Sequence, residues 1–294
     1  MKNIVCFGEV LWDVFPEHKK IGGAPLNVAI RLQSLGNTVS MISSVGLDVD
    51  GDEIITFVNE NNVDTNNIQI DTVLKTGSVK VALDTEGSAT YEIEFPRAWD
   101  YINLTEKAKN IAELSDAFIY GSLASRDQVT RNTLYELLKI AKYKIFDVNL
   151  RKPHYTASVL DHLMNKADFI KFNDDEILEI VKNYESAITT VEEAIPFIAK
   201  QTHTNSICVT KGGKGAVLYY DGIFYSNNGY KVTVVDTVGA GDSFLASLIN
   251  QLLKDTEPQK AIDFACAVGA IVASKAGANP KIEQKEIEQL MYKE

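Results

Sequence analysis

The stretch DTVGAGDSF, residues 236–244, is the most informative part of the sequence. It follows an apolar run typical of a strand and precedes FLASLINQLL, which is typical of a helix. The small residues Gly239, Ala240 and Gly241 let backbone N–H groups reach an anion, and the helix start adds partial positive charge. Asp242 lies in the first helical turn, where a carboxylate can take a proton from an attacking hydroxyl. An N-capping aspartate after a glycine turn is the structural alternative.

Two common nucleotide-binding glycine motifs are missing from the sequence. There is no GxxxxGK[ST] segment, which excludes a P-loop. No glycine fingerprint follows the first apolar run, which excludes an NAD-dependent enzyme of the dinucleotide-binding type.

Apolar, β-branched runs alternate with helix-like segments through most of the chain. Strands are predicted at 1–14, 39–45, 117–121, 144–149, 168–173, 206–210, 216–220 and 230–235. Helices are predicted at 25–35, 52–61, 128–141, 158–165, 174–182, 191–201, from about 241, 259–275 and 283–292. This alternation predicts an α/β fold with a parallel sheet covered by helices on both faces.

The pattern changes between residues 76 and 95, where apolar and polar residues alternate on either side of the turn-rich DTEGS. This predicts an antiparallel hairpin with one apolar face. We expect residues 76–103, together with 10–22, to form a small β lid inserted in a single domain of residues 1–294. Its apolar face suits a cover over a site or a homodimer contact. An ordinary edge hairpin is the alternative.

Composition limits the possible partners. Hydrophobic residues make up 45% and charged residues 23% of the 294, which is ordinary for a globular chain. Lys and Arg number 29 against 40 Asp and Glu, for a net charge of −11. A negative surface repels nucleic acid and anionic membranes, so we expect neither as a partner. The structural alternative is that the acidic surface only keeps the protein soluble.

The remaining composition signals favour a cytoplasmic protein. The cysteines, Cys6, Cys208 and Cys266, each lie in an apolar run, which predicts reduced core residues. Glu9 and Asp13 interrupt the first apolar segment, unlike a signal peptide. The longest apolar run, 264–273, is too short to span a bilayer.

A second glycine segment, GGAPLNVA at residues 22–29, precedes a predicted helix. Gly22 and Gly23 allow a ligand to approach the backbone closely, and the Asn27 amide can both donate to and accept from a sugar hydroxyl. Asp13 follows the first strand, where parallel sheets bind ligands, and can accept two hydroxyls. A glycine turn and a solvated carboxylate are the structural alternatives.

Three further segments lie at predicted strand ends. DVNLR (147–151) supplies Arg151, which can bind phosphate bidentately. NDDE (173–176) supplies Asn173 and Glu176, which can hold Mg²⁺ through water. TKGGKG (210–215) is a glycine-rich turn that can lie against ATP; its candidate residues are Thr210, Gly212, Gly213 and Gly215. Capped helix starts and a hairpin turn are the alternatives.

In chain order these segments resemble the PfkB family of carbohydrate kinases. GGAPLNVA is similar to the family's N-terminal signature and DTVGAGDSF to its C-terminal one. NDDE matches its N-x-x-E motif, and TKGGKG its T-x-G-x-x-G loop. The resemblance implies a three-layer ribokinase-like fold, with a mostly parallel central sheet and an inserted β lid. GEVLWDVFP, the AWD at 98–100 and DVNLR are most similar to fructokinases.

The resemblance also implies roles for individual residues. Asp242 is the expected general base, and the amides of residues 240–242 the anion hole. The expected sugar-binding residues are Asp13, Gly22, Gly23, Asn27 and Arg97, with Arg151 on sugar or transferred phosphate. Asn173 and Glu176 are expected to organise Mg²⁺. The expected nucleotide-binding residues are Asn173, Thr210, Gly212, Gly213, Gly215, Gly239 and Gly241.

In this family a monovalent cation, often K⁺, often sits beside the anion hole, and the resemblance implies such a site here. The corresponding groups here are Asp236 and the loop 276–279. One position departs from the family pattern: the helix after Asp242 usually carries Ala-Gly, where this chain has Ala246 and Ser247.

The resemblance implies an ATP-dependent sugar kinase that requires Mg²⁺, with fructose as the leading substrate. Another substrate is the first alternative: ribose, a nucleoside, 2-keto-3-deoxygluconate or a sugar phosphate. A phosphorylated substrate needs basic residues near the sugar site, for which Lys19, Lys20 and Arg97 are candidates. A non-catalytic sugar-binding sensor of the same fold is the second alternative.

Overall fold

A computed structural model of the chain describes residues 1–83, 89–184 and 187–292. The strands are β1 (Asn3–Phe7), β2 (Leu11–Val14), β3 (Lys19–Gly22), β4 (Thr38–Gly46), β5 (Asp64–Asp71), β6 (Gly77–Leu83), β7 (Ala89–Ile93), β8 (Ala117–Gly121), β9 (Lys144–Asp147), β10 (Phe169–Asn173), β11 (Ser206–Thr210), β12 (Ala216–Tyr220) and β13 (Ile223–Asn227). The helices are α1 (Ala24–Ser34), α2 (Val49–Glu60), α3 (Glu106–Leu114), α4 (Gln128–Leu137), α5 (Ala157–Lys166), α6 (Asp174–Lys182), α7 (Val191–Thr202), α8 (Ala240–Leu252), α9 (Pro258–Ala273) and α10 (Gln284–Met291).

The central sheet has the strand order β13-β12-β11-β10-β9-β8-β1-β4-β5 in the described part of the chain. The pairs β11–β12 and β12–β13 are antiparallel, and every other neighbouring pair is parallel. The strand order reverses direction at β1, between β4 and β8. In such open sheets ligands bind at the carboxyl ends of the strands next to this reversal.

Helices cover both faces of the central sheet. Ile4 and Cys6 of β1 pack in a core with α1, α2, α8 and α9. Val5 and Phe7 of the same strand face the opposite core, which includes α3 to α7. Successive strand residues point to opposite faces, so a run that is apolar throughout serves a sheet buried on both sides. The predicted three-layer α/β fold is confirmed. The three cysteines are free and buried, as expected.

A second, four-stranded sheet has the order β3-β2-β6-β7. Strands β6 and β7 form the predicted antiparallel hairpin, with Val79 opposite Ile93. Strand β2 pairs antiparallel with β3 and parallel with β6, so residues 11–22 and the hairpin share one sheet. The predicted DTEGS turn at 84–88 lies outside the described residues.

The strand predicted at 230–235 is wrong. The chain reverses immediately after β12, because Asp221 (φ 48°) and Gly222 (φ 84°) form a tight hairpin turn, and Ile223–Asn227 then pairs with β12. Residues 230–235 form no regular strand, and Val235 N–H donates to the Ala273 carbonyl at the end of α9.

Strand β5 and helix α3 were not predicted, because both are rich in polar residues. Helix α4 ends at Leu137, four residues before its predicted end at 141. In the ranges described, no helix is long and apolar enough to cross a membrane.

Candidate active site

Polar residues at the strand ends, among them the predicted site residues Asn173 and Thr210, lie along one edge of the central sheet. Asn173 ends β10 and is the register partner of Thr210, which ends β11. Asp147 ends β9 and is the register partner of Lys171 in β10. Glu9 lies two residues beyond the end of β1, after Gly8. Because neighbouring strands are parallel, their carboxyl ends bring these groups to the same crevice.

The start of α8 supplies free amides at this edge. Gly239 caps the helix in the left-handed region (φ 75°), and a Cβ there would lie 2.5 Å from the Ala278 carbonyl oxygen, so only glycine fits. The amide of Ala240 donates to the Thr237 carbonyl at 3.3 Å. In the described structure the amides of Gly241 and Asp242 have no protein acceptor. These two amides can therefore bind an anion.

Asp242 combines a raised pKa with a fixed hydrogen bond. The Asn27 side-chain amide donates to Asp242 Oδ2 at 2.8 Å. Burial raises the pKa of Asp242 to about 6, and the Asp147 carboxylate adds to the increase, whereas Asn27, Lys171 and Arg151 oppose it. The carboxylate is therefore ionised at neutral pH and more basic than an ordinary aspartate, which suits a general base.

The N-terminal glycine segment packs against this carboxylate cluster. Any side chain at Gly22 would overlap the Asp13 carboxylate, and a Cβ at Gly23 (φ 111°) would lie 2.5 Å from the Glu9 carbonyl oxygen. Burial raises the pKa of Asp13 to about 6, against the positive charges of Arg151 and Lys20. Arg151 is exposed, and its charge acts on both Asp13 and Asp242. The structure thus brings the predicted sugar-binding residues and the predicted base into one neighbourhood.

Arg97 is placed differently. Its guanidinium forms an ion pair with Glu94, and its Nε is buried without a hydrogen-bond partner among the described residues. It caps a short 3₁₀ turn, Ala98–Tyr101, beside the second sheet. Its charge is therefore already engaged within that segment.

Asn173 and Glu176 form a reciprocal cap at the start of α6. Asn173 Oδ1 accepts from the Glu176 amide (2.8 Å), and Glu176 Oε2 accepts from the Asn173 amide (2.7 Å). Glu176 Oε1 accepts from the Leu150 amide at 2.9 Å. The described residues contain no cluster of three or more His, Cys, Asp or Glu that could hold a metal directly. The remaining lone pairs of the Asn173 and Glu176 oxygens can bind a cation through water, and Mg²⁺ usually keeps several of its water ligands.

The TKGGKG segment forms a tight turn between β11 and β12. Gly215 (φ 81°) lies so close to the Asn227 carbonyl that no side chain fits. Around Gly212 and Gly213 there is open space instead. The Thr210 hydroxyl donates to the Phe172 carbonyl at 3.3 Å. The turn thus presents open backbone at the same sheet edge as Asn173.

Asp236 joins the chain before α8 to the loop 276–279. Its Oδ1 accepts from the Val238 amide (3.0 Å), and its Oδ2 from the Gly277 amide (3.2 Å). Lys20 Nζ lies 3.9 Å from Asp236 Oδ2. The Oδ1 of Asn279 is buried with no hydrogen-bond partner in the part of the chain described. Oxygen acceptors of this kind suit a monovalent cation, although the nearby Lys20 competes for Asp236.

The buried ion pair of Lys171 and Asp147 was not predicted. Its Nζ–Oδ1 distance is 3.0 Å, and a Cβ on Gly241 would lie 3.6 Å from Lys171 Nζ. Asp147 and Glu176 raise the pKa of Lys171 above its ordinary value, although burial acts in the opposite direction. A lysine within the apolar strand FIKFN was the available signal, because a buried ammonium needs a partner.

Comparison with known proteins identifies the family. The model of the pfkB family carbohydrate kinases matches residues 1–285. The chain belongs to the pfkB family of carbohydrate kinases. One relative, described as probable fructokinase-7 of Arabidopsis thaliana, is 31% identical to this chain, over 94% of this chain and 88% of that protein.

Solved structures of kinases have the same fold. An uncharacterized sugar kinase from Pyrococcus horikoshii is 27% identical, with a TM-score of 0.83 over 98% of this chain and 99% of that one. A fructokinase double mutant from Vibrio cholerae O395, solved in its fructose, ADP and potassium ion bound form, is 22% identical, with a TM-score of 0.85 over 99% of this chain and 98% of that one. The ribokinase-like fold of this carbohydrate kinase is thereby confirmed.

Ser247, where the family pattern has glycine, is fully buried in α8 of the kinase. Its hydroxyl has no hydrogen-bond partner among the described residues. The departure therefore affects helix packing, five residues beyond Asp242.

Glu9 is a further buried acid of the candidate site. It is 3% exposed, and its Oε2 has no partner within the described ranges. Burial raises the pKa of Glu9 from 4.5 to about 7, and the Arg151 charge opposes this. Because the folded state binds this proton more tightly than the unfolded state, Glu9 contributes stability at low pH that is lost as pH rises from about 4.5 through about 7.

We therefore expect Glu9→Gln to stabilise the kinase at pH 8 but not at pH 4.5. One pKa unit corresponds to about 1.4 kcal/mol, so the gain at pH 8 is at most about 3 kcal/mol. Urea unfolding of both proteins at several pH values measures the difference. A constant difference between pH 4.5 and pH 8 would contradict the raised pKa of Glu9.

Proposed function

We propose that this carbohydrate kinase transfers the γ-phosphoryl group of ATP to a hydroxyl of fructose, with Asp242 as general base. The observation that carries the proposal is the 2.8 Å hydrogen bond between Asn27 and Asp242. It joins the glycine segment that suits a sugar to the helix start that suits a phosphoryl group. A sugar bound beside Asn27 therefore has a basic carboxylate next to its hydroxyls.

The proposed reaction is a direct phosphoryl transfer. The sugar oxygen forms a bond to the γ-phosphorus while its proton passes to Asp242, and the bond from that phosphorus to the leaving oxygen of ADP breaks. The amides of Gly241 and Asp242 face the transferred group and stabilise its charge. Arg151 supplies positive charge on the open side of the site.

Nucleotide and metal binding follow from the neighbouring strand ends. The open turn 210–215 suits the phosphates or ribose of ATP. Asn173 and Glu176 would hold Mg²⁺ through water, and the metal would neutralise phosphate charge. The acceptors around Asp236 and loop 276–279 suit K⁺, the ion named in the Vibrio cholerae fructokinase structure.

The small sheet of β2, β3, β6 and β7 is proposed as a lid. Asp13 lies on its strand β2 and Gly22 ends its strand β3, so movement of this sheet would move proposed sugar-binding groups. Closure over the sugar would exclude water, which otherwise competes as the phosphoryl acceptor.

The charges of the site favour a neutral sugar over a sugar phosphate. Lys19 pairs with Asp50 and Glu53, both at 2.7 Å, Lys20 lies 3.9 Å from Asp236, and Arg97 pairs with Glu94. The site also contains the acidic groups Glu9, Asp13 and Asp242, which outnumber the single guanidinium of Arg151 that acts on all three. The phosphate of a sugar phosphate would meet these like charges, which cost several kcal/mol at close range.

An ADP-release assay over a sugar panel tests the proposal. The panel contains fructose, glucose, ribose, 2-keto-3-deoxygluconate, fructose 1-phosphate and a nucleoside. We expect fructose to have the highest kcat/KM, and the sugar phosphate to be at least about 100-fold poorer because of the like charges. The highest kcat/KM with the sugar phosphate would reject the substrate assignment, and sugar binding without any ADP release would favour a sensor.

A further inference from the structure

Two side-chain amides connect the loop after α9 to the proposed base. Asn279 Nδ2 donates to Asn27 Oδ1 at 2.9 Å. Asn27 Nδ2 in turn donates to Asp242 Oδ2 at 2.8 Å. Asn27 is 6% exposed, so few other partners reach its amide.

The chemistry of an amide gives this series of two hydrogen bonds a direction. Asn27 has an acceptor on one side and a donor on the other, whereas an ionised carboxylate only accepts. A donor from Asn279 engages the Asn27 oxygen and so leaves the Asn27 NH₂ group for Asp242. The reversed amide would set its oxygen against the Asp242 carboxylate. With Oδ2 engaged, Oδ1 of Asp242 is left to receive a proton.

The loop that carries Asn279 is anchored to several elements. The Gly277 amide donates to Asp236 Oδ2 at 3.2 Å. Arg31 of α1 donates through Nη2 to the Pro280 carbonyl (3.0 Å), and through Nε to the Ser243 hydroxyl of α8 (3.1 Å). The loop therefore holds Asn279 in a defined position relative to both α1 and α8.

We propose that Asn279 is a positioning residue that sets the orientation of the Asn27 amide and, through it, the geometry and basicity of Asp242. The inference rests on the proposed role of Asp242 as base. Asn279 itself touches neither reacting group. Its effect is transmitted by one amide, so it should appear in the ionisation of Asp242 and not only in stability.

Other charges around Asp242 come from different elements. They are Asp147 of β9, Arg151 after β9, Lys171 of β10 and Glu9 after β1. Substitution of Asn279 by alanine changes none of these four charges directly, and because Asn279 also belongs to the proposed cation loop 276–279, the profiles are compared at saturating K⁺. A change in the acidic limb of the rate profile would therefore report on the Asn27 hydrogen bond.

The test compares Asn279→Ala and Asn279→Asp in the full-length kinase, using kcat/KM against pH with the best sugar of the panel. Loss of the donor in Asn279→Ala is expected to lower kcat/KM about threefold to tenfold, the usual range for one hydrogen bond. The acidic limb moves to higher pH, because the ionised form of Asp242 loses a donor. Asn279→Asp is expected to lower kcat/KM further, since a carboxylate at 279 attracts the Asn27 NH₂ group away from Asp242.

Asn165→Ala is the matched control, because Asn165 donates one hydrogen bond of 2.8 Å within α5, outside the site. It should leave the pH profile unchanged. If Asn279→Ala lowers the melting temperature but keeps the wild-type acidic limb, the positioning role is rejected. Should Asn279→Asp fail to fold, Asn279→Ala decides alone.

The Asp242→Asn variant separates this inference from the proposed function. If Asp242→Asn is nearly inactive while the Asn279 variants keep the wild-type profile, only the role of Asn279 is rejected. If Asp242→Asn stays active, the base assignment itself fails.

Discussion

The Asp242→Asn variant is expected to bind sugar and ATP almost normally and to turn over at least about 100-fold more slowly, the usual scale for loss of a general base. Asparagine has nearly the same shape and can still accept a hydrogen bond from Asn27, which preserves the geometry at the start of α8. It cannot take a proton from the sugar hydroxyl at neutral pH. The loss should therefore fall on kcat, with little change in KM for either substrate.

Steady-state ADP release measures kcat, and calorimetric titration measures binding of each substrate. The wild-type rate should rise through a pH of about 6, the pKa to which burial raises Asp242, and the residual activity of the variant should lack this limb. Asp161→Asn, which removes an exposed carboxylate bonded to the Tyr184 hydroxyl, is the matched control. Near wild-type turnover in Asp242→Asn would mean that another group is the base.

The Lys171→Met variant is expected to lose about 3–5 kcal/mol of unfolding free energy. Breaking a buried ion pair by removing one partner leaves an uncompensated charge in the interior. Here that charge is Asp147, whose Oδ2 already lacks a hydrogen-bond partner in the described structure. Methionine keeps much of the lysine volume, so the loss would reflect charge rather than a cavity.

Urea unfolding of three variants isolates this effect. The double variant Lys171→Met/Asp147→Leu removes both charges and should recover most of the lost stability. Lys139→Met breaks an exposed ion pair of 2.6 Å with Glu136 and should change stability by less than about 1 kcal/mol. A Lys171→Met loss as small as that of Lys139→Met would show that the buried pair contributes little.

Local patterns predicted much of the architecture correctly. The bounds of β8, β11, β12 and α6 match the prediction, because each is a short apolar or amphipathic run with a clear start and end. The segment 230–235 has equally strong strand character, yet it forms no strand. The turn at Asp221 and Gly222 instead makes Ile223–Asn227 pair with β12. Strand propensity alone does not determine which of two segments pairs.

The sequence predicted candidate site residues where a function requires particular residue types within a few positions. Glycines before a helix and a carboxylate in its first turn mark the start of α8 in the sequence alone. Lys171 and Glu9 were missed as site residues, and Asn279 was predicted only as part of the cation loop 276–279, since a lone lysine, glutamate or asparagine has many uses. Their importance depends on burial and on partners that no local pattern specifies.

Local sequence determines the order of strands and helices, because this order depends on side-chain periodicity. It also determines the two glycine-rich helix starts and the carboxylate beside one of them, because these depend on backbone freedom and residue type over a few positions. The contact of Asn27 with Asp242, 215 positions apart, and of Asn279 with Asn27, 252 positions apart, exists only in the folded chain. Packing of α1, α8 and the loop after α9 brings these groups together. Burial in that crevice then raises the pKa values of Glu9, Asp13 and Asp242, and this requires neighbours from distant segments to exclude water.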